Sequence, residues 1–245
     1  MPPFDFVDHS YPDLAANLAG DEALLLDAEA RGGPPRLRIW ELDHHAVVLG
    51  ASCRVAANVR EENCAADGVP VGRRSSGGGT VVIGPGTLNV TVVLPIADLP
   101  EADRPVDAAQ RAVLGRIGAA LRAAGPEVAM LGSGDLTLGG RKFSGSAQRR
   151  LRHFLMIHAS ILHDFDLGAI DRYTRMPPRQ PEYRAGRAHA DFVVNLPLDR
   201  ASITRAIRSA WPVAAAAEGG GMMPAGLVAG LVREKFGNAG WIGRL

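Results

Sequence analysis

The chain has 245 residues, 47% hydrophobic and 22% charged, with a formal net charge of +1. That length accommodates one large domain or two small ones with a sizeable core, and the near-neutral balance excludes a global field that would recruit nucleic acid or an anionic membrane. No apolar run approaches the roughly 18 residues needed to span a bilayer. The opening MPPFDFVDHSYPDL is acidic and broken by prolines, unlike a secretory signal, and Cys53 and Cys64 offer at most one bridge. The expectation is a reduced, cytoplasmic setting.

Ser10 to Asp13 reads as a capping box with Ser10 as the cap. Leu14, Leu18 and Leu25 follow at helical spacing until Gly32-Gly33-Pro34 stops the helix. Leu37 and Ile39 alternate with Arg36, Arg38 and Trp40 as in a half-buried strand, and Ala46 to Leu49 reads as its hairpin partner across Asp43-His44-His45. Leu88, Val90, Val92 and Leu94 alternate with Asn89 and Thr91, a further strand. Pro105 to Gly125 is the clearest helix, with Val106, Ala109, Val113, Ile117 and Leu121 forming its apolar stripe. Asp135 to Leu138, the turn Gly139-Gly140 and the run RKFSGSA predict a β-hairpin. Arg152 to Leu162 is another strand. Asp199 can cap a helix running to about Ala217, Gly219 to Gly221 reads as a flexible joint, and Leu227, Leu231 and Val232 mark a short last helix closed by Gly237-Asn238. Hairpins interspersed with helices predict an α+β fold with a mixed, largely antiparallel sheet.

Two segments stand out chemically. Arg73-Arg74-Ser75-Ser76-Gly77-Gly78-Gly79-Thr80 combines three glycines, which let a backbone approach a ligand closely, with two arginines that favour phosphate. It is neither a Walker loop nor a dinucleotide fingerprint. The second segment is Gly139-Gly140-Arg141-Lys142-Phe143-Ser144-Gly145-Ser146-Ala147. Of 27 basic residues only Lys142 and Lys235 are lysine, so Lys142 among small residues suits a compact charge that neutralises a developing oxyanion.

Other candidates fare less well. His153 and His158 point to opposite faces of a strand, and His153 and His163 lie about 33 Å apart along it, so no metal site is assigned. Cys53 and Cys64 read as small packed thiols, and no GxSxG elbow exists.

Taken together, NLAGDEALL, LRIWELDHHAVVLG, RRSSGGGTVV with GPGTLN, GDLTLGGRKFSGSAQRR, IHASIL and EKFGNAGW resemble, in order and over nearly the whole chain, the lipoate–protein ligase branch of the biotin/lipoate ligase and octanoyltransferase superfamily. The resemblance implies the catalytic-domain fold of that superfamily, similar to class II aminoacyl-tRNA synthetases, over residues 1–245, with 218–245 a C-terminal tail helix of the same domain. It implies that lipoate and MgATP form lipoyl-adenylate, and that a lysine of a lipoyl-domain protein then displaces AMP. The acceptor would be a dehydrogenase-complex subunit or a protein like the glycine-cleavage H protein. By the same resemblance Lys142 contacts the acyl carbonyl and α-phosphate, and Arg73, Arg74 and Ser76 to Thr80 cradle the adenylate. Asn89 lines the pocket, Asp135 sits beside the nucleotide, and Ser144, Gly145, Ser146, Ala147 and His158 complete the site. Val81, Leu88 and Ile161 are expected as walls for the aliphatic tail.

Two departures matter. Ile83-Gly84 stands where many ligases carry His-Asp, in a GPG context closer to octanoyltransferases, and the chain stops near the end of the large catalytic domain, so a separate small accessory subunit is a possible partner. Rival readings are an ATP-independent octanoyl or lipoyl transferase using a cysteine thioester, and a non-catalytic module that binds lipoyl domains. Biotin is a further candidate acid.

Overall fold

The structure, a computed structural model, describes residues 2–214 and 222–245. Its strands are β1 (Asp5–Asp8), β2 (Arg36–Trp40), β3 (Ala46–Leu49), β4 (Val71–Arg73), β5 (Val81–Ile83), β6 (Thr87–Pro95), β7 (Val128–Leu131), β8 (Asp135–Leu138), β9 (Arg141–Arg150) and β10 (Phe154–Leu162). The longer helices are α1 (Leu14–Arg31) and α2 (Val106–Ala123), followed by α3 (Arg200–Ser209) and α4 (Ala225–Leu231). A seven-stranded sheet runs β1-β2-β6-β10-β9-β8-β7, and a three-stranded sheet runs β4-β3-β5. Only β1 with β2 and β3 with β4 pair in parallel, which gives the expected mixed, largely antiparallel α+β architecture.

One face of the large sheet carries Leu37, Ile39, Leu88, Val90, Val92, Ile157 and Ile161 against α2 and α3. Along α2, Ala109, Val113, Ile117 and Leu121 are buried while Val106 stays half exposed, so the stripe begins one turn later than its periodicity suggests. An Ile117→Ala substitution there would cost roughly 2–5 kcal/mol. The other face lies under α1, which packs Leu14 and Leu18 with Trp40 of β2, Val48 of β3 and Ile83 of β5. The site forms in that layer between helix and sheets.

Several local expectations are corrected. Asp13, not Ser10, caps α1, its carboxylate accepting from Ala16 N at 2.7 Å, while the Ser10 hydroxyl accepts from Glu41 N. β3 does not pair with β2: it joins β4 and β5 in the second sheet, and β2 takes β1 and β6 instead. Nor is β2 half buried, because α1 covers the Arg38 and Trp40 face as well. Asp199 caps α3 as expected, accepting from Ser202 N, but the helix ends at Ser209. Residues 210–214 are not helical, Val213 bridging to Phe4 instead, while Ala215 to Ala217 and the joint at Gly219 to Gly221 lie outside the described residues. The short helix expected around Leu227 appears as α4, extended by a π-helical turn over Val232–Phe236, but it is not the last, because Asn238 caps a further turn of helix at Ala239–Ile242. No helix among the described residues is long and apolar enough to cross a membrane.

Candidate active site

Side chains alternate across strands, so register decides which of them meet. Trp40, Asn89, Ser160 and Gly145 lie side by side across β2, β6, β10 and β9, and Arg38, Thr91, His158 and Ala147 form the neighbouring row. At roughly 4.8 Å between strands, the first row spans about 14 Å. Over this floor opens a cavity of about 130 Å³, walled by Leu18 and Asp21 of α1, Val48 of β3 and Ile83 of β5. Leu88 and Ile161, expected as tail walls, belong to the opposite face and are fully buried in the main core; Val81 does line the cavity.

Lys142 owes its position to a β-bulge. Thr137 pairs with Lys142 but Leu136 pairs with Ser144, so Phe143 is an extra residue on β9. Phe143 drops into the core, and Lys142 comes out on the same face as Gly145 and Ala147. A Cβ on Gly145 would lie 2.8 Å from Lys142 Nζ, so the ammonium rests directly over that glycine. Asp135 Oδ1 holds it at 2.8 Å, and Asp135 Oδ2 accepts from the Tyr183 hydroxyl at 2.7 Å. Burial, together with the Asp135 charge, pushes the Tyr183 hydroxyl pKa far up, so it remains a donor.

The two adjacent arginines diverge. Arg74 lines the cavity and is buried, donating to Ser76 Oγ and to the carbonyls of Gly77 and Gly79. It forms no ion pair with a carboxylate among the described residues, and burial pushes its pKa down to about 10. Such a charge favours an anionic ligand. Arg73, expected beside the adenylate, turns away at the end of β4 and is fully buried. Its guanidinium donates to the carbonyls of Ile242, Gly50, Ala51 and Cys53, while Trp241 Nε1 donates to its own carbonyl at 2.8 Å. Arg73 therefore fastens the glycine loop to the C-terminal residues.

Ser76 is buried behind the cavity, its Oγ 2.6 Å from His158 Nε2. His158 Nδ1 faces Asp21 at 3.8 Å, and Asp21 pairs with Arg38 at 2.6 Å and accepts from Trp40 Nε1. Burial alone would raise the Asp21 carboxyl, but Arg38 and His158 outweigh it and hold the pKa below its ordinary value. Gly79, Thr80, Asn89, Gly145, Ser146 and Ala147 all line the cavity; Gly77 and Gly78 shape the turn behind it, Gly78 with φ of 83°. The Asn89 side chain accepts from the Ser160 hydroxyl at 2.8 Å. Ser144 faces elsewhere.

A second cavity of about 120 Å³ adjoins the first, and Thr80, Val81, Lys142, Gly145 and Ser160 border both. Ser144 lines it, with Arg175, Arg184, His189 and Phe192 from the segment after β10. The hydroxyls of Thr80 and Ser144 and Nη2 of Arg184 are buried without a partner among the described residues. Sequence reasoning missed Asp21, Tyr183, Arg184 and His189. Asp21-Glu22 in the middle of an apolar helix was a usable signal; the others converge only through the fold. Gly84 is explained by crowding, since a Cβ there would come 2.7 Å from the His45 ring. Neither cysteine lines either of these two cavities: Cys64 is buried, and the Cys53 thiol donates to Gly78 O at 3.4 Å.

Residues 13–200 match the family model of the lipoyl protein ligase A/B catalytic domain. An Aeropyrum pernix protein with the provisional name lipoate-protein ligase A is 33% identical over 156 residues, covering 64% of this chain and 56% of that protein. An octanoyl-GcvH:protein N-octanoyltransferase of Kyrpidia tusciae is 36% identical over 129 residues, covering 49% and 43%. The chain thus spans about half the length of the curated relatives it matches. The fold is shared with the bi-partite lipoate protein ligase of Thermoplasma acidophilum, solved with its E2 lipoyl domain, at a TM-score of 0.81 and 19% identity over 100% of this chain and 98% of that one. A lipoate-protein ligase A bound with ATP gives a TM-score of 0.79 and 19% identity over 100% of both chains.

Proposed function

The chain belongs to the lipoyl protein ligase A/B catalytic-domain family, and on that premise we propose that it activates lipoate, or the related octanoate, with ATP and transfers the acyl group to a lysine of a lipoyl-type acceptor domain. The observation that carries this reading is the meeting of two cavities at one ammonium. A reaction joining an acid to a nucleotide needs two adjoining chambers and a cation where they touch.

In the first step the acid's carboxylate attacks the α-phosphorus of ATP and pyrophosphate leaves. In the second the acceptor amine attacks the acyl carbonyl and AMP leaves. Lys142, at the junction, would offset charge developing on the carbonyl oxygen and on the α-phosphate oxygens, a contribution worth roughly 10²–10³ in rate. Arg74 supplies buried positive potential to the acid chamber. Its apolar walls hold the tail by area burial, and Ile83 adds to them where many ligases carry a histidine. Asn89, Ser160 and His158 form a polar floor. The unpartnered Thr80 and Ser144 hydroxyls offer donors to a bound ligand.

Magnesium would enter on the nucleotide's phosphates. The described residues hold no cluster of three His, Cys, Asp or Glu groups, but magnesium often keeps water and phosphate ligands with one or two carboxylates. Asp135, beside Lys142, has both oxygens engaged by Lys142 and Tyr183, so the metal would be held by phosphate and water. As partners, a lipoyl domain is supported by the E2 lipoyl domain solved with the Thermoplasma ligase and by the GcvH named for the transferase relatives.

The test is to incubate the protein with lipoate, MgATP and an apo lipoyl domain and follow the acceptor's mass. An ATP-dependent lipoyl shift, lost in Lys142→Ala, is expected. The transferase relatives favour a second reading, acyl transfer from a carrier protein through a cysteine thioester. A mass shift that needs octanoyl carrier protein, ignores ATP and disappears in Cys53→Ser would replace the first reading with the second.

A further inference from the structure

Lys142 and its neighbours Arg141 and Asp135 are tied at three points to residues that lie roughly forty to fifty positions later in the chain. Val194 N donates to the Lys142 carbonyl at 2.9 Å, and Arg141 Nη2 donates to Val193 O at 2.7 Å. The third contact runs through side chains, from the Tyr183 hydroxyl to Asp135 Oδ2 and from Asp135 Oδ1 to Lys142 Nζ. Both carboxylate oxygens are thereby committed, one to a neutral donor and one to the ammonium.

Tyr183 itself is firmly placed. Its ring packs on Phe192, centroids 5.3 Å apart, and Phe192 also lies beneath the guanidinium of Arg184 at 4.6 Å. Arg187 Nη2 donates to the Tyr183 carbonyl and to Gly140 O, which clips this segment to the β8–β9 turn. Ala185, two residues on, is the one non-glycine residue with positive φ among the described residues, at 50°. Strain of that kind persists where surrounding contacts over-determine the backbone, and it clusters near functional sites.

We propose that Tyr183 is a positioning residue for Lys142, acting through Asp135: its hydroxyl fixes the carboxylate that keeps the ammonium over Gly145 at the junction of the two cavities. The inference rests on the reading of Lys142 as the group that stabilises acyl transfer, but the geometry it describes can be measured without turnover. A carboxylate free to rotate would let the flexible lysine stem sweep into either cavity. A carboxylate pinned at its second oxygen leaves the ammonium one resting place.

The scarcity of lysine supplies the experiment. Trace acetylation with acetic anhydride, read by peptide mass spectrometry, reports Lys142 with Lys235 as the internal reference, since the chain has no other lysine. Tyr183→Phe keeps the ring on Phe192 and removes only the hydroxyl. It should raise Lys142 labelling relative to Lys235 by roughly threefold to tenfold, the net scale of one ordinary hydrogen bond. Asp135→Asn should raise it at least as far, and the double variant should match Asp135→Asn alone, because the hydroxyl works through that carboxylate. Unchanged Lys142 labelling in Tyr183→Phe, or additive effects in the double variant, would overturn the proposal. An equal rise at Lys235 would also overturn it, showing general loosening.

Lipoate-dependent ATP–pyrophosphate exchange then separates the proposal from the functional reading. Tyr183→Phe should lower kcat several-fold and leave KM for the acid unchanged, a split that lost packing would not give. A wild-type protein with the expected labelling pattern but no exchange would defeat the ligase reading while the coupling stands. Exchange in the wild type with no labelling change in Tyr183→Phe would defeat the coupling alone.

Discussion

Lys142 stands over a glycine between two cavities, its one carboxylate partner shared with a tyrosine. Lys235 is packed over the rings of Phe236 and Trp241, with its ammonium 2.6 Å from the buried Glu22, which also takes Arg149. Both are lysines in a chain that otherwise uses arginine, and both are ion-paired. The first region leaves a cation facing empty volume, and the second packs one against two rings and a buried carboxylate. Rarity marks both residues equally; only the surroundings separate a cation that borders two cavities from one that ties a helix in place. Arg74 and Arg73, adjacent in sequence, divide between the same two regions.

The comparison breaks first at Lys142. Lys142→Ala should lower acyl transfer by about 10²–10³ with little change in Tm, checked by acceptor mass and a thermal melt. Arg74→Lys keeps the charge but loses the planar fork that spans Ser76 Oγ and the Gly77 and Gly79 carbonyls. KM for the acid should rise on the order of tenfold, measured by steady-state kinetics. Lys235→Ala belongs to the other region and should cost roughly 1–3 kcal/mol of stability, since Glu22 keeps only Arg149. Urea denaturation reads that loss, and KM should be unchanged where the protein is folded.

The smallest effect lies outside both regions. Hydrogen bonds from Arg172, then Tyr173, hold the Asp67 carboxyl at about 2, against an ordinary 3.8. A depressed carboxylate pKa contributes stability that is fully present above the unfolded value and lost as pH falls through the folded one. The Tm gap between wild type and Asp67→Asn should therefore be constant near neutrality and close between about pH 4 and pH 2.

What the sequence made legible was periodic. The alternation over Leu88 to Leu94, the α2 stripe and the hairpin turning at Gly139-Gly140 all appear where their patterns put them. Pairing was less legible, because a polar turn joins β2 to β3 without stating that β3 belongs to another sheet. Side-chain direction was the least legible. Arg73 and Arg74 look equivalent in RRSSGGG, yet one ends a strand facing the C-terminal segment and the other faces a cavity. Lys142 reaches the site only because Phe143 is an extra residue, and no local pattern announces a bulge. Tyr183 enters from 48 residues beyond Asp135, a distance at which only tertiary packing decides who meets whom.

The knot of contacts at Arg73 has a temporal consequence. Trp241 and Ile242, which bind the backbone and guanidinium of Arg73, are synthesised 168 and 169 residues after it. While the chain is still emerging from a ribosome, Arg73 can already reach the Gly50, Ala51 and Cys53 carbonyls, but its Nε edge and its own carbonyl wait for those two residues. The bonds from Arg74 to Ser76, Gly77 and Gly79 span at most five positions of chain and need nothing from the C-terminal segment. The cradle can therefore take shape before its backing does.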